Sequence, residues 1–263
     1  MINIAVTGAS GKMGKLIISN ILKVEGARLS AAFDLVNIGL DVGEVAQLGT
    51  LNVPISDIKD IESVLKSSGT NVLVDFTIAG ATVVNAPKGA NCGVNLVIGT
   101  TGFTDDQKAI IEAAILKNNV AGIISPNYSV GVNVFFKVLR EAARYLGEMD
   151  VEIIEAHHNQ KKDAPSGTAK KAADIISEAL GGKEYVCGRE GLAPRGREIG
   201  IHAVRGGDII GDHTVLFAGD GERIEIKHQA HSRQAFAGGA VKAAMWIARA
   251  KPGLYTMEDI LGL

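Results

Sequence analysis

The chain has 263 residues, 46% of them hydrophobic and 21% charged, and its formal net charge at pH 7 is -2. Acidic and basic residues are interspersed without an arginine-rich run, which argues against a nucleic-acid partner. The first residues read as a strand and no apolar stretch approaches the roughly 20 residues that span a bilayer, so we expect a cytoplasmic protein with no membrane partner.

The chain opens with a strand, a glycine turn and a helix. Residues 2–7 form an apolar strand, the sequence GASGKMG follows, and a helical pattern runs over residues 16–22. Gly8 permits a tight turn, Gly11 lets the backbone approach a pyrophosphate, and Gly14 lets the helix pack close to the strand. The GxxGxxG spacing therefore predicts a dinucleotide site with the phosphates at the helix N-terminus.

A second apolar strand, residues 29–33, ends in Asp34, about twenty residues beyond the last glycine, where a ribose-binding carboxylate is expected. Such a carboxylate accepts from a free 2′-OH and repels a 2′-phosphate, and Leu35 adds no compensating charge. This favours NADH, although Lys12 could reach a 2′-phosphate, so NADPH stays open. An ATP-binding Walker loop is disfavoured because Met13, not Ser or Thr, follows Lys12.

The same strand-and-helix rhythm continues to about residue 127. Apolar segments at 71–76, 95–99 and 120–125 alternate with helical stretches at 79–90 and 105–117, which predicts a parallel sheet. Ligands bind beyond the carboxyl ends of such strands. The loops expected to face a nicotinamide are Phe76 and Thr77; Gly99, Thr100 and Thr101; and Ser125, Pro126, Asn127 and Tyr128.

The second half has a different pattern. Helices are predicted at 130–146, 168–180 and 236–250, and strands at 151–156, 198–204, 213–218 and 223–228. The predicted fold class is α/β, with a Rossmann-type parallel sheet domain plus an α+β substrate domain built on a mixed sheet. We assign residues 1–127 plus about 236–263 to dinucleotide binding, and about 128–235 to substrate binding and oligomerisation.

The segment 155–169, EAHHNQKKDAPSGTA, carries the most informative chemistry. Histidine exchanges protons near neutral pH and lysine supplies a compact positive charge. Ser166 occupies a helix N-cap position, so Gly167 and Thr168 would point backbone N–H groups outward as an anion site. We expect this segment to form a positively charged pocket that binds a carboxylate and donates protons, opposite the reactive face of the nicotinamide.

Two rival classes share the nucleotide-binding half. One is another hydride-transfer enzyme, such as an amino-acid or sugar dehydrogenase. Against it, no tyrosine has lysine at the short-chain dehydrogenase spacing, and neither an HExxH motif nor a cysteine set suggests a metal. The other is an NAD-binding sensor without activity, which fold alone does not exclude.

Over its full length the chain resembles the 4-hydroxy-tetrahydrodipicolinate reductase family, also called dihydrodipicolinate reductases. The resemblance is carried by the segment from Glu155 to Thr168, the glycine turn, the Gly99–Gly102 loop and the run Arg205-x-Gly207-x-x-x-Gly211-x-His213. It implies NADH- or NADPH-dependent reduction of a small dicarboxylate, 4-hydroxy-tetrahydrodipicolinate, to tetrahydrodipicolinate with loss of water, in lysine and diaminopimelate biosynthesis. It also implies a homotetramer joined through the substrate-domain sheet.

The resemblance implies roles for individual residues. His157 matches the proton donor and acceptor, Lys161 a second proton donor, and His158 a substrate-binding residue. Ser166, Gly167 and Thr168 match the helix opening that holds a substrate carboxylate. The cofactor-binding residues are Gly8, Ala9, Ser10, Gly11, Lys12, Met13, Asp34, Gly99, Thr100, Thr101, Ser125, Pro126, Asn127 and Tyr128. Many members have a basic residue where this chain has Leu35, which weakens the expectation of dual cofactor use.

Overall fold

The computed structural model describes residues 1–263, which form two compact units. The first unit comprises Met1–Val130 and Gln234–Leu263, and the second comprises Gly131–Arg233. None of the helices combines the length and apolar character that crossing a bilayer requires.

Twelve strands and nine α-helices make up the two units. The strands are β1 Ile2–Thr7, β2 Ala27–Asp34, β3 Ile55–Asp57, β4 Val72–Asp75, β5 Asn95–Ile98, β6 Ala121–Ile124, β7 Asp150–His157, β8 Tyr185–Cys187, β9 Ile199–Arg205, β10 Gly211–Gly219, β11 Glu222–Ala230 and β12 Gly253–Tyr255. The helices are α1 Lys12–Ile21, α2 Val42–Val45, α3 Ile61–Ser67, α4 Ala79–Asn91, α5 Asp105–Lys117, α6 Val130–Tyr145, α7 Gly167–Ala179, α8 Gln234–Ile247 and α9 Met257–Leu261. A 3₁₀ turn covers Ile58–Asp60.

The first unit is a seven-stranded parallel sheet in the order β12-β6-β5-β4-β1-β2-β3. The strand order reverses between β1 and β4, so the carboxyl ends of these two strands mark the switch point at which such sheets bind ligands. The predicted Rossmann-type sheet is confirmed.

The last part of the chain completes the core of the first unit. Helix α8 packs on α1 and on β4 and β5, and its buried residues belong to the same apolar cluster as those of α1. The approach is close, because a Cβ on Gly239 would overlap the carbonyl oxygen of Tyr128. The side-chain amide of Asn20 donates to Gln234 Oε1 at 2.6 Å.

The second unit is a mixed sheet, as predicted, and it has five strands in the order β11-β10-β7-β9-β8. Strands β7, β9 and β8 are parallel to one another, whereas β10 pairs antiparallel with both β7 and β11. Helices α6 and α7 cover one face, where Val151 and Ile153 of β7 join the apolar core. Because side chains alternate along a strand, Glu155 and His157 continue this covered face. Glu155 and His157 therefore lie at the C-terminal end of β7, on the same face as its apolar core residues.

Several short elements were not predicted. Strands β3, β8 and β12 have three residues each, too few to show a two-residue period. Helices α2, α3 and α9 span four, seven and five residues, which is too short for an amphipathic pattern to stand out.

Candidate active site

The predicted glycine turn borders a cavity of about 660 Å³ in the first unit, which we call the glycine-turn cavity. Gly8 adopts the left-handed φ of 71° that favours glycine, and a Cβ on Gly14 would overlap the carbonyl oxygen of Gly8. Gly11 is the N-cap of α1 and offers no capping side chain. The first backbone N–H groups of α1 are therefore left for an anionic ligand.

Asp34 lies in the wall of this cavity with a fixed carboxylate. Its Oδ2 accepts from the backbone N–H of Ser10 at 2.8 Å, and its Oδ1 accepts from the N–H of Leu35 at 2.7 Å. These two bonds hold the carboxylate beside the glycine turn, the position that a ribose-binding carboxylate occupies in a dinucleotide site.

Apolar side chains form the rest of the cavity mouth. Leu35 and Ile78 are 73% and 72% exposed, and Val36 and Val84 are also exposed. No lysine or arginine lines the cavity. Apolar walls with a carboxylate at one end suit a flat base joined to a ribose. The residues present therefore fit the adenosine half of a pyridine nucleotide.

Four of the predicted cofactor residues have inward-facing side chains. Ala9 is fully buried, and Met13 packs against the core of the first unit. Thr100 is buried, and its hydroxyl faces the carboxyl of Asp75 at 3.3 Å. The Tyr128 hydroxyl donates to the carbonyl oxygen of Ile98 at 2.9 Å, and burial raises the pKa of this phenol well above its ordinary value. For the buried Ala9, Thr100 and Tyr128, any cofactor contact would have to use the backbone.

Other predicted cofactor residues are more accessible. Lys12, Thr101 and Pro126 are exposed, and Ser10, Ser125 and Asn127 are half-buried. Gly99 is restricted to glycine by its neighbour, because a Cβ there would overlap the Phe76 ring. The residues from Gly99 to Thr101 and from Ser125 to Tyr128 follow β5 and β6, at the edge of the sheet where the sequence placed them. Their cofactor contacts stay a prediction.

In the second unit, a fully buried carboxylate organises the histidine segment. Glu155 accepts two bonds from Arg205, each of 2.8 Å. It also accepts from the backbone N–H of Ser166 at 2.9 Å, and its Oε2 lies 2.6 Å from Nδ1 of His157. Burial acts to raise the pKa of Glu155, but the bonds from Arg205, His157 and Ser166 outweigh it and hold the pKa below its ordinary value. Glu155 is therefore an ionised partner for His157.

This contact fixes the orientation of the His157 ring. With Nδ1 facing a carboxylate, we assign the ring proton to Nδ1, which leaves Nε2 for another partner. A Cβ on Gly211 would lie only 3.1 Å from this Nε2, so the glycine keeps space beside it. His157 is 9% exposed, so its surroundings are largely protein.

Ser166 links this carboxylate to the start of α7. Its hydroxyl accepts from the N–H of Ala169 at 3.2 Å, so the predicted N-cap is confirmed. The same hydroxyl lies 3.0 Å from Nε2 of His213. Burial, and then the nearby His157, lower the pKa of His213 to about 4, so this ring is neutral at pH 7. The backbone N–H groups of Gly167 and Thr168 come first in the helix, as an anion site requires.

Lys161 lies in the loop between β7 and α7. Its ammonium donates to Oδ1 of Asp163 at 2.8 Å, and its backbone N–H donates to the carbonyl oxygen of His158 at 3.1 Å. Arg205 donates to the carbonyl oxygen of Asp163 at 2.7 Å while it holds Glu155. Arg205 thus connects the segment that holds Lys161 with the carboxylate that holds His157. His158 itself is half-buried.

Glu155, Arg205 and His213 belong to the two motifs of the second unit, but none of them was predicted as a site residue. The available signal was a carboxylate two residues before His157 on the face of β7 that also carries Ile153. A charged residue on a buried face needs a partner, and the partner is Arg205, fifty positions away. No pattern in a single sequence identifies such a pairing.

Both units are similar to known proteins. Residues 2–128 match the family model of the N-terminus of dihydrodipicolinate reductase, and residues 131–261 match the model of its C-terminus. The 4-hydroxy-tetrahydrodipicolinate reductase of Methanococcoides burtonii is 74% identical over 262 residues, and that of Methanosarcina mazei is 68% identical over 263 residues, with 100% of each chain covered.

A solved structure agrees with these matches. The dipicolinate-bound dihydrodipicolinate reductase from Paenisporosarcina sp. TG-14 is 31% identical, with a TM-score of 0.81 and 99% of each chain covered. These matches, together with the nucleotide-binding parallel sheet, make the protein a pyridine-nucleotide-dependent reductase. The chain belongs to the dihydrodipicolinate reductase family.

Proposed function

We propose that this protein reduces 4-hydroxy-tetrahydrodipicolinate to tetrahydrodipicolinate in lysine and diaminopimelate biosynthesis. The substrate takes up a hydride and a proton and releases water. Reduced nicotinamide, when bound, supplies the hydride. The observation that carries the proposal is the ionised Glu155, which holds both His157 and the N-cap of an anion-binding helix.

The start of α7 supplies the carboxylate site of the proposed substrate. Gly167 and Thr168 present backbone N–H groups at the positive end of the helix dipole, and Thr168 adds a hydroxyl. Lys161 and His158 in the preceding loop would contribute further donors. The relative from Paenisporosarcina sp. TG-14 binds dipicolinate, a planar dicarboxylate, which supports a dicarboxylate substrate here.

His157 and Lys161 are the proposed proton donors. The Glu155 contact at Nδ1 leaves Nε2 of His157 as the atom that would donate and accept a proton. The ammonium of Lys161 would neutralise negative charge on the substrate and supply a second proton. General acid help of this kind contributes roughly 10²–10⁴ in rate.

Absorbance of NADH at saturating cofactor, with substrate generated by the preceding enzyme, tests the proposed function. We expect consumption of NADH that depends on that substrate and is inhibited by dipicolinate. A protein that binds NADH but leaves it unconsumed would be a sensor, and turnover of an amino acid or sugar instead would indicate a different dehydrogenase.

We further propose a preference for NADH over NADPH. The carboxylate of Asp34 is fixed by two backbone N–H groups, and the glycine-turn cavity has no cationic side chain to compensate a 2′-phosphate. NADPH use therefore depends on Lys12, which is exposed and outside the cavity lining.

An Asp34→Ala variant tests this preference. Loss of the carboxylate removes a charge-assisted bond to the 2′-OH, so we expect kcat/KM for NADH to fall about tenfold, with a smaller effect for NADPH because a repulsion is also removed. The measurement is the ratio of kcat/KM for the two cofactors. A strong native preference for NADPH would contradict the proposal.

We propose a cytoplasmic homotetramer. The face of the second sheet that α6 and α7 leave uncovered carries Ile154 and Val204, which are 42% and 48% exposed. Apolar side chains on an uncovered sheet face suit a contact with a second copy of the chain. Light scattering of the purified protein measures the mass, and a monomer would exclude the assembly.

A further inference from the structure

The first unit contains a buried carboxyl group that the proposed chemistry does not use. Asp75 ends β4 at the switch point of the sheet and is 1% exposed. Its Oδ1 accepts from the backbone N–H of Thr77 at 3.0 Å and from the hydroxyls of Thr77, Thr82 and Thr100 at 2.6, 3.1 and 3.3 Å. Its Oδ2 is buried without a hydrogen-bond partner. We call these four residues the Asp75 network.

The three threonines also bond to one another. The hydroxyl oxygen of Thr82 lies 3.0 Å from that of Thr77 and 2.8 Å from that of Thr100. The backbone N–H of Thr77 also donates to the Thr100 hydroxyl at 3.0 Å. Thr77 belongs to the loop after β4, Thr82 to helix α4 and Thr100 to the loop after β5. One carboxyl oxygen therefore joins three separate segments.

Two of these segments border the proposed cofactor site. Thr77 and Ile78 line the glycine-turn cavity, and a Cβ on Gly8 would lie 3.1 Å from both the carbonyl oxygen of Phe76 and the Cγ2 of Thr77. The loop after β4 thus rests directly against the glycine turn. Thr100 precedes Thr101, an exposed residue of the other loop.

Stability alone gives a poor reason for a carboxyl at this position. A buried oxygen without a partner is unfavourable, and an apolar residue would not carry that penalty. Burial raises the pKa of Asp75, against hydrogen bonds from Thr77 and Thr82 that lower it. We therefore look for the role of the Asp75 carboxyl in the loops that its Oδ1 holds together.

We propose that Asp75 is a positioning residue for the cofactor: its Oδ1 holds the loops after β4 and β5 in the shape that the reduced dinucleotide binds. The inference rests on the proposed cofactor site and adds a residue that touches neither cofactor nor substrate. Loss of the network loosens the loops before binding, so it weakens cofactor affinity and leaves the chemical step unchanged.

Fluorescence titration with NADH alone tests the proposal without the reaction. We expect Asp75→Ala to raise the Kd for NADH about tenfold and Thr82→Val about threefold, because each removes hydrogen bonds of the network. Asp75→Asn keeps an acceptor at Oδ1, and we expect it to stay within about twofold of the native Kd. In turnover, KM for NADH rises in parallel while kcat at saturating NADH is retained.

Thr70→Val is the matched control. Thr70 is also a buried threonine of the first unit, bonded to the hydroxyls of Ser30 and Ser68 at 2.8 Å each, but it precedes β4 at the opposite end of the strand. We expect a loss of thermal stability similar to that of Thr82→Val with an unchanged Kd for NADH.

Two outcomes would overturn the proposal. The first is a Kd for NADH in Asp75→Ala that equals the native value, or, if Asp75→Ala does not fold, an unchanged Kd in Thr82→Val. The other is a rise of Kd in Thr70→Val as large as that in Thr82→Val. If the native protein itself does not bind NADH, the proposed function fails first, so the two failures are distinguishable.

Discussion

A Lys161→Ala variant is expected to lose kcat by about 10²-fold or more, with thermal stability close to native. The ammonium of Lys161 makes one side-chain contact, the bond to Asp163, so its removal leaves little unsatisfied inside the protein. It would, however, remove the positive charge and proton that the substrate needs as the ring is reduced. Steady-state kinetics at saturating NADH and substrate measure the loss.

Lys162→Ala provides the control for Lys161. Lys162 is the next residue, is exposed and makes no ion pair, so we expect nearly native kcat. His157→Ala should be harmful but less so than Lys161→Ala, and the double variant should be worse than either single one. An unchanged kcat in Lys161→Ala or His157→Ala would reject the role assigned to that residue.

Glu155→Gln is expected to reduce both activity and stability. The change removes the negative charge that pairs with Arg205. It also replaces one carboxylate oxygen, which accepts two hydrogen bonds, with an amide NH2 group that can only donate. Breaking a buried ion pair from one side destabilises by about 3 kcal/mol, and kcat falls about tenfold because the His157 ring loses its orienting partner. Chemical denaturation and steady-state kinetics measure the two effects.

The pH dependence of this effect has a defined sign. The pKa of Glu155 is lower in the folded protein, so its stabilisation is complete above the ordinary pKa of glutamate and is lost as pH falls through the folded-state value. The difference in unfolding free energy between native protein and Glu155→Gln therefore shrinks on acidification. A constant difference down to the lowest pH at which the protein folds would contradict the ionised state assigned here.

Glu152→Gln separates orientation of His157 from general stability. Glu152 lies on the same strand but on the opposite face, where it pairs with Arg189, Arg195 and His202. We expect this variant to lose stability and keep kcat. If both glutamine variants lost kcat equally, Glu155 would have no special relation to His157.

Local patterns in the sequence were sufficient for most of the fold. The glycine turn, the parallel strands and the N-cap at Ser166 each depend on residues within one turn or strand, so spacing alone predicts them. The prediction did not extend to side-chain direction. Thr100 and Tyr128 occupy loops at the correct edge of the sheet, yet their hydroxyls bond inward to Asp75 and Ile98.

Long-range pairings were the part that sequence could not supply. Glu155 meets Arg205, and Asp75 meets Thr100, only because strands distant in the chain become neighbours in a sheet. A single sequence does not show which distant residues become neighbours in this way. The residues missed are accordingly those that hold the site in place, whereas those predicted are the ones expected to touch ligands.

The first unit is completed by α8, which follows the second unit in the chain, and this order affects how the protein can fold during translation. The second unit is continuous from Gly131 to Arg233, so all its strands have been synthesised before Gln234 is added. The nucleotide-binding sheet lacks α8 and β12 until the whole second unit has been synthesised. The middle of the polypeptide can therefore reach its native core earlier than the N-terminal part, the reverse of the usual vectorial order.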